Sequence, residues 1–483
     1  MRYIEGKENV LEMCADILQD ESYLSGSWCE SAAWPDNTVE AAEYISKCAE
    51  QGIPLTFSGG LTGISGGALP EGGTVVSTSS MKTLRMLDNC NVSAGAGVTI
   101  EELNRFVTRN AEGMFYPPDP TEETASVGGT VATDASGTDS YLYGSTRKWV
   151  EGLQMVLPNG RIIVLKRGQT FFDNLNCNCP DLGLLRLPLL SKEQPKKNTA
   201  GYYMHPGMDL IDLFIGSEGT LGLITEVELK LAPEPEYLID LAVFPETDDS
   251  FWKVYYSLLN SGEPLRIRAL EMMDERCIDF MRLHPGDLPS PPAEAVFVLL
   301  LRAEADSDEH LEDTLVKLDE MLTGFNVNPE TAWGGFEPSE RKRIKDFRHA
   351  LPEAVNHCIS ESRAKFPSIH KFGSDGAVDP SLLKQYYELT RSILEDRALP
   401  FVIFGHAGQG HIHANAIPEN PGQMLLADEA MREIASTAVK MNGTVSAEHG
   451  LGKLKLNYLE MMYSVDEIKA MNKMRETISA RVT

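Results

Sequence analysis

Three of the ten histidines in this 483-residue chain stand within eight positions, at His406, His411 and His413, and a fourth, His449, sits in Ser446-Ala447-Glu448-His449-Gly450-Leu451-Gly452. A lone histidine is ordinarily a hydrogen-bonded core or surface residue. Clustered imidazoles with a carboxylate at hand instead suit a borderline cation such as Zn²⁺. An imidazole can also take a proton near neutral pH, as a general base must. Metal binding and proton transfer are both open to this set.

A second chemistry is written in glycine. Ser58-Gly59-Gly60-Leu61-Thr62-Gly63-Ile64-Ser65-Gly66-Gly67, the stretch from Ser126 through Gly128 and Gly129 to Gly137, and Gly216-Ser217-Glu218-Gly219-Thr220-Leu221-Gly222 hold more glycine and small hydroxyl residues than packing needs. Glycine lets backbone amides approach an anion, and consecutive amides in a tight turn form a nest for a diphosphate. One such loop is weak evidence, since turns need glycine for steric reasons alone. Three in one half of the chain favour a ligand. None has the glycine spacing of the strand-turn-helix dinucleotide fingerprint, so a Rossmann site is not supported.

These residues need elements to hold them. Phe401 to Asn415 reads as two strands joined by a glycine turn, which puts His411 and His413 on one face and lets His406 meet them across the turn. The first half alternates short apolar runs (Ile53 to Ser65, Thr74 to Thr78, Val127 to Gly137) with glycine turns and helix-like stretches such as Val39 to Gln51, an α+β signature. Met1 to Asp20 reads as an amphipathic helix without the marks of a signal peptide. A strand from Leu223 to Leu231 is stopped by Pro233 and Pro235, and the domain boundary is placed there. Expected domains are therefore a helical segment 1–33, a first domain 34–232 and a second domain 233–483. In the second, strands at Leu238 to Phe244 and Val296 to Leu301 and helices at Asp249 to Leu259 and Asp308 to Leu322 predict an antiparallel sheet covered on one side. Ser464-Val465-Asp466-Glu467 is a capping box opening a helix that reaches about Ser479.

Bulk properties narrow the class. The length favours two domains. Lys plus Arg number 43 against 71 Asp plus Glu, a net charge of −28, which disfavours nucleic acid and anionic membrane surfaces as partners. No apolar run is long enough to span a bilayer. The eight cysteines are scattered; Cys177 and Cys179, in a loop-rich insertion at 168–195, lack the second pair of a four-thiolate site, so reduced thiols are expected.

With Tyr116-Pro117-Pro118-Asp119-Pro120 and Tyr143-Gly144-Ser145-Thr146-Arg147, the glycine loops resemble the FAD-binding domain of the vanillyl-alcohol oxidase superfamily (PCMH-type), in its branch of D-lactate dehydrogenases and glycolate oxidase subunits. The likeness implies a PCMH-type domain of two α+β subdomains, a ferredoxin-like antiparallel-sheet cap domain and C-terminal helices. It implies that Ser58, Gly59, Gly60, Leu61, Thr62 and Gly63 cradle the FAD pyrophosphate. Pro118, Asp119, Pro120, Gly128, Gly129, Thr133, Ala135, Ser136 and Gly137, with Glu218, Gly219, Gly222 and Ile224, would line the cofactor. The branch usually has arginine at Ser58 and a third glycine at Leu61. No histidine precedes His205, so FAD is expected to be non-covalent.

The later motifs resemble the same branch, whose hairpin carries Gly-His, a glycine turn and a second His, and whose later loop reads Gly-Glu-His-Gly. By that likeness His406, His413 and Glu448 bind a divalent metal (Zn, Mn or Fe), and His449 is the catalytic base. The turn differs: relatives usually carry Asp and then Gly-Asn where this chain has Gln409, Gly410 and His411. Arg348 matches the position of a substrate-carboxylate clamp, and arginine grips a carboxylate with two parallel hydrogen bonds. Lys371 would be the second cation. Relatives also continue past the final helix into a short tail, whereas this chain ends at Thr483.

These parts imply FAD-dependent oxidation of a small D-2-hydroxy acid, D-lactate before glycolate or D-2-hydroxyglutarate. A redox-neutral flavin transferase of the alkyl-dihydroxyacetone-phosphate synthase type is one alternative, and a flavoprotein subunit of a larger electron-transfer complex is another. The electron acceptor would be a quinone, a cytochrome, an electron-transfer flavoprotein or an iron-sulfur subunit, and a homodimer is compatible with the resemblance. The expected location is the cytoplasm, or the membrane periphery through such an acceptor.

Overall fold

In Arg2-Tyr3-Ile4-Glu5 only Ile4 turns inward, and the segment is an edge strand and not the start of a helix. The computed structural model, which describes residues 1–284 and 289–479, pairs it antiparallel with Ser31–Trp34. The helix expected from Met1 shrinks to Lys7–Met13. Val10, Ile17 and Leu18 join Ile4, Trp34 and Val75 in a small core.

The chain divides into two compact units. The first holds residues 1–137, 144–234 and everything from Glu448 on. Its four-stranded sheet runs Arg2–Glu5, Ser31–Trp34, Thr74–Ser77, Leu55–Ser58, and the last three strands are mutually parallel. The helix Thr38–Gln51, capped by Asn37 Oδ1 accepting from the Glu40 amide at 3.1 Å, crosses between two of them. Ala41 and Ile45 on this helix pack with Val76 of that sheet and with Val156 and Leu223 of a second, antiparallel sheet of five strands. Val127–Thr133, expected among the strands, is a helix capped by Ser126. Gly128 is required there because a Cβ would stand 2.6 Å from the Ala96 Cβ. The 168–195 insertion contains a hairpin, Asn176–Cys179 with Gly183–Arg186, in which Cys177 and Cys179 are buried free thiols.

The second unit holds residues 138–143 and 235–447. Seven strands form its sheet in the order Trp333–Gly335, Tyr237–Val243, Phe297–Ala305, Arg266–Asp274, Phe401–Gly405, His413–Ala416, Phe372–Gly373, and every neighbouring pair is antiparallel. Both faces are covered, not one. Ile239, Met272, Leu299 and Leu301 meet the helices Asp248–Leu259, Asp308–Gly324, Leu383–Glu395 and Pro421–Lys440. Ala242, Met273, Val298 and Leu300 meet the helices Glu275–Leu283 and Pro338–Lys365. The unbroken run Phe297-Val298-Leu299-Leu300-Leu301 is the sequence signal of such two-sided burial.

The passage between units falls at Glu234, two residues beyond the expected boundary. The C-terminal segment, expected in the second domain, packs in the first because its loop and helix bond to residues 191–199 and 218 of that unit. The excursion of residues 138–143 had no sequence signal. It is tied by buried charge: Asp139 ion-pairs with Arg268 and Arg302, and Tyr143 donates to Glu304 at 2.6 Å.

Candidate active site

In the first unit, the loop after Leu55–Ser58 leaves the carboxyl end of a parallel strand, where open α/β sheets place ligands. The three glycine loops are bonded together. Ser126 Oγ accepts from the Gly60 amide at 3.1 Å and the Gly129 amide at 3.2 Å, joining the first loop to the second. The amides of Gly216 and Glu218 donate to Val131 and Ala132 at 2.9 and 2.7 Å, joining the third. Arg147 completes the frame by binding Asp134 and the Ile215 carbonyl. A Cβ on Gly60 would stand 2.9 Å from the Ser126 nitrogen, and one on Gly137 would overlap the Asp119 carbonyl, so both positions admit glycine alone. Leu61, where the branch usually has glycine, keeps a left-handed backbone at φ 58°.

This arrangement fits FAD. Ser58 is 2% exposed, and its Oγ has no hydrogen-bond partner among the described residues, although a buried hydroxyl needs one. Gly63 faces open space with nothing within 4 Å of its Cβ direction. An anion seated on the loop would find both.

The loop from Glu448 to Gly452 is held by the same unit. Ser65 Oγ donates to the His449 carbonyl at 3.0 Å. The Glu218 carboxylate accepts from the Leu451 and Gly452 amides at 2.9 and 2.8 Å. Burial pushes the Glu218 carboxyl upward, and those amides oppose the shift. Thr199 Oγ1 accepts from the Gly450 amide at 3.1 Å, and Lys197 forms a buried ion pair with Glu448. Lys197, Thr199 and the loop-holding part of Glu218 are invisible in the sequence, because they act through segments more than two hundred residues away.

In the second unit the hairpin of Phe401–Gly405 and His413–Ala416 brings His406, His411 and His413 together. Their ring centroids lie 5.6, 5.9 and 4.3 Å apart, and one ligand nitrogen from each lies within 4.8 Å of the others. Two rings are backed by an acceptor, and the third has a carboxylate oxygen beside it. His406 Nδ1 is 2.7 Å from Glu271 Oε1, His413 Nδ1 is 3.3 Å from the Ser374 carbonyl, and His411 Nε2 is 3.1 Å from Asp375 Oδ1. Backing of this kind is typical of metal-binding histidines, so the donor set fits a borderline divalent cation.

Glu271 carries no role on sequence grounds, yet it links two candidate residues. Its carboxylate also accepts from Arg348 Nε at 2.8 Å and Nη2 at 3.1 Å. Burial alone would raise its pKa; the Arg348 guanidinium and His406 overcome that and hold it well below the usual carboxylate range. Arg348 lies on Pro338–Lys365, a helix that contains Pro352. Lys371 is exposed and donates to Asn356 at 2.9 Å. It stands three residues before Ser374, about 10 Å along the strand from the carbonyl that backs His413.

Residues 30–166 match the FAD binding domain, and residues 241–479 match the FAD linked oxidases, C-terminal domain. This chain belongs to the FAD-linked oxidases, an oxidoreductase class of flavoproteins. Within that class it falls in the D-lactate dehydrogenase and glycolate oxidase subunit branch. It is 28% identical to a D-lactate dehydrogenase of Archaeoglobus fulgidus over 89% of this chain and 84% of that protein. It is also 28% identical to the glycolate oxidase subunit GlcD of Bacillus subtilis over 92% of this chain and 86% of that protein. For a D-2-hydroxyglutarate dehydrogenase of Xanthomonas citri the identity is 26%, over 92% and 86%. The fold is shared with a 4-ethylphenol oxidase from Gulosibacter chungangensis (TM-score 0.67, 15% identity, 97% of this chain and 91% of that one). It is shared too with an alkyldihydroxyacetonephosphate synthase (0.62, 16%, 94% and 75%). No helix among the described residues is long and apolar enough to cross a membrane.

Proposed function

We propose that this protein oxidises a small D-2-hydroxy acid to the 2-oxo acid, with D-lactate the first candidate and glycolate and D-2-hydroxyglutarate next. The observation that carries the reading is the bonding of the loop bearing Glu448 and His449, through Ser65 and Glu218, to two of the three loops that form the FAD frame. A base fixed to the cofactor's own loops is suited to a reaction in which proton and hydride leave neighbouring atoms together.

In this reading His449 takes the hydroxyl proton of the substrate. Arg348 holds the substrate carboxylate, and Glu271 fixes its guanidinium plane by accepting from Nε and Nη2. Lys371 adds positive charge at longer range. His406, His413 and Glu448 would hold a divalent cation (Zn, Mn or Fe), with Glu271 orienting the first of these ligands. The chemistry it would supply there is Lewis-acid polarisation of the substrate hydroxyl. Residues 58–63 and 118–120, with Gly128, Gly129, Thr133, Ala135, Ser136, Gly137, Glu218, Gly219, Gly222 and Ile224, would hold non-covalent FAD, which when bound would supply the hydride acceptor at N5. The balance is one proton to His449 and one hydride to flavin, and an external acceptor such as a quinone, cytochrome, electron-transfer flavoprotein or iron-sulfur subunit reoxidises the cofactor. Buried free thiols suit a cytoplasmic location.

The test is single-turnover flavin reduction without oxygen. His449→Ala should retain bound FAD and lose reduction by about 10²-fold or more. Arg348→Met should raise the half-saturating substrate concentration more than it slows the saturated rate. Full-rate reduction in His449→Ala would overturn the assignment of the base, and a covalent flavin adduct without net reduction would point to a transferase.

A further inference from the structure

We propose that His411 is a third imidazole ligand in a metal site formed by the His406–His413 hairpin, with Asp375 as the carboxylate that orients it. The inference rests on the reading that His406 and His413 bind a divalent cation, and it enlarges the donor set beyond them.

Burial is the first argument. His411 is 0% exposed, the deepest of the three rings, and its backbone bridges to Ala377. A hairpin turn at Gly410 does not need imidazole at this place, because the left-handed glycine at φ 66° makes the turn. Packing alone would be met at lower cost by an apolar side chain, because a buried polar ring must find partners.

The second argument is the repeated pattern of backing. Glu271 stands behind His406, the Ser374 carbonyl behind His413 and Asp375 behind His411. Asp375 is itself held, accepting from Ser446 Oγ at 2.9 Å, while its carbonyl accepts from the Ala447 amide at 2.8 Å. An acceptor on one ring nitrogen fixes the tautomer and turns the opposite nitrogen to a metal. Two rings backed in this manner, and a third with a carboxylate oxygen 3.1 Å from its Nε2, bring one ligand nitrogen each to within 4.8 Å of the others. Nitrogens around tetrahedral Zn²⁺ stand about 3.3 Å apart.

The third argument is selectivity. Three neutral imidazoles favour Zn²⁺, Fe²⁺ or Co²⁺ over Mn²⁺ and Mg²⁺, whose preference is for oxygen. They also leave more of the cation's charge uncompensated than a carboxylate-rich site would, which strengthens polarisation of a bound hydroxyl.

The experiment uses the FAD-loaded full chain, stripped of metal with a chelator and titrated with Zn²⁺, Co²⁺, Mn²⁺ and Mg²⁺. Zn²⁺ is expected to bind one equivalent per chain, ahead of Mn²⁺. His411→Asn should weaken Zn²⁺ by at least about tenfold and alter the Co²⁺ visible spectrum, at unchanged flavin content. Should His411→Asn fail to fold, Asp375→Asn is the second variant, expected to weaken Zn²⁺ about tenfold while leaving the ring in place. If these variants match the parent in affinity and spectrum while His413→Ala loses the metal, His411 is a structural residue and only this inference falls. If the parent chain takes up no divalent cation, the metal reading itself falls with it.

Discussion

At the scale of single residues, the decisive group is one with no motif to announce it. Glu271 sits on Arg266–Asp274 and joins Arg348 to His406, so one carboxylate fixes both the candidate clamp and a candidate ligand. Glu271→Gln should lower kcat/KM by about 10- to 100-fold and weaken metal binding to a similar degree, measured by steady-state kinetics and by metal titration. A change in kcat/KM without any change in metal affinity would confine Glu271 to the clamp. The hairpin that gathers His406, His411 and His413 was legible because period-two alternation and a glycine turn act within fifteen residues, whereas Glu448 and His449 were reached only through family resemblance. Glu271, Asp375 and Lys197 were not, because each meets its partner only through strand order or loop return. Nothing local encodes that.

At the scale of elements, helix caps and close approaches decide what forms. Asp274 ends the strand that carries Glu271 and caps Glu275–Leu283, accepting from the Cys277 amide at 3.1 Å. Burial raises its pKa from 3.8 to about 6. The native state therefore binds more protons than the unfolded chain between those values, and stability falls as pH rises through that window. Asp274→Asn keeps an acceptor for the cap and removes the titration. Its melting temperature should be flatter than the parent's between pH 4 and 6, with a gain on the order of 3 kcal/mol at pH 7. An unchanged pH profile would contradict this. Gly137→Ala should impair FAD retention, read as flavin content after gel filtration, because a Cβ there overlaps Asp119. Most strands and helices were readable to within a few residues from apolar period. Two exceptions have physical causes: Val127–Thr133 is a helix because Ser126 caps it, and Arg2–Glu5 is a strand because its neighbour Ser31–Trp34 offers an edge.

At the scale of the whole molecule, a net charge of −28 sets the long-range field. The protein should stay in the supernatant when sedimented with anionic vesicles at physiological salt, since repulsion acts over the Debye length of about 8 Å. Stable co-sedimentation would reverse the sign argument. The chain passes between units at Glu234, beside Pro233 and Pro235, and nothing in the sequence signals its return at Glu448. Periodicity reports which face of a helix is buried, never which unit buries it. The same limit hid the excursion of residues 138–143, where Asp139→Ala would take away a buried carboxylate shared by Arg268 and Arg302 and cost on the order of 3 kcal/mol, read as a loss of unfolding free energy.

The central claim is that bound FAD takes a hydride from a D-2-hydroxy acid. It is tested most directly by mixing the FAD-loaded protein, without oxygen, with matched D and L pairs of lactate and 2-hydroxyglutarate, and with glycolate, while following the oxidised-flavin absorbance. The account predicts that at least one D acid or glycolate bleaches the flavin in a single turnover and that the L partners do not. Bleaching by L acids alone, or by none of the panel, would contradict it.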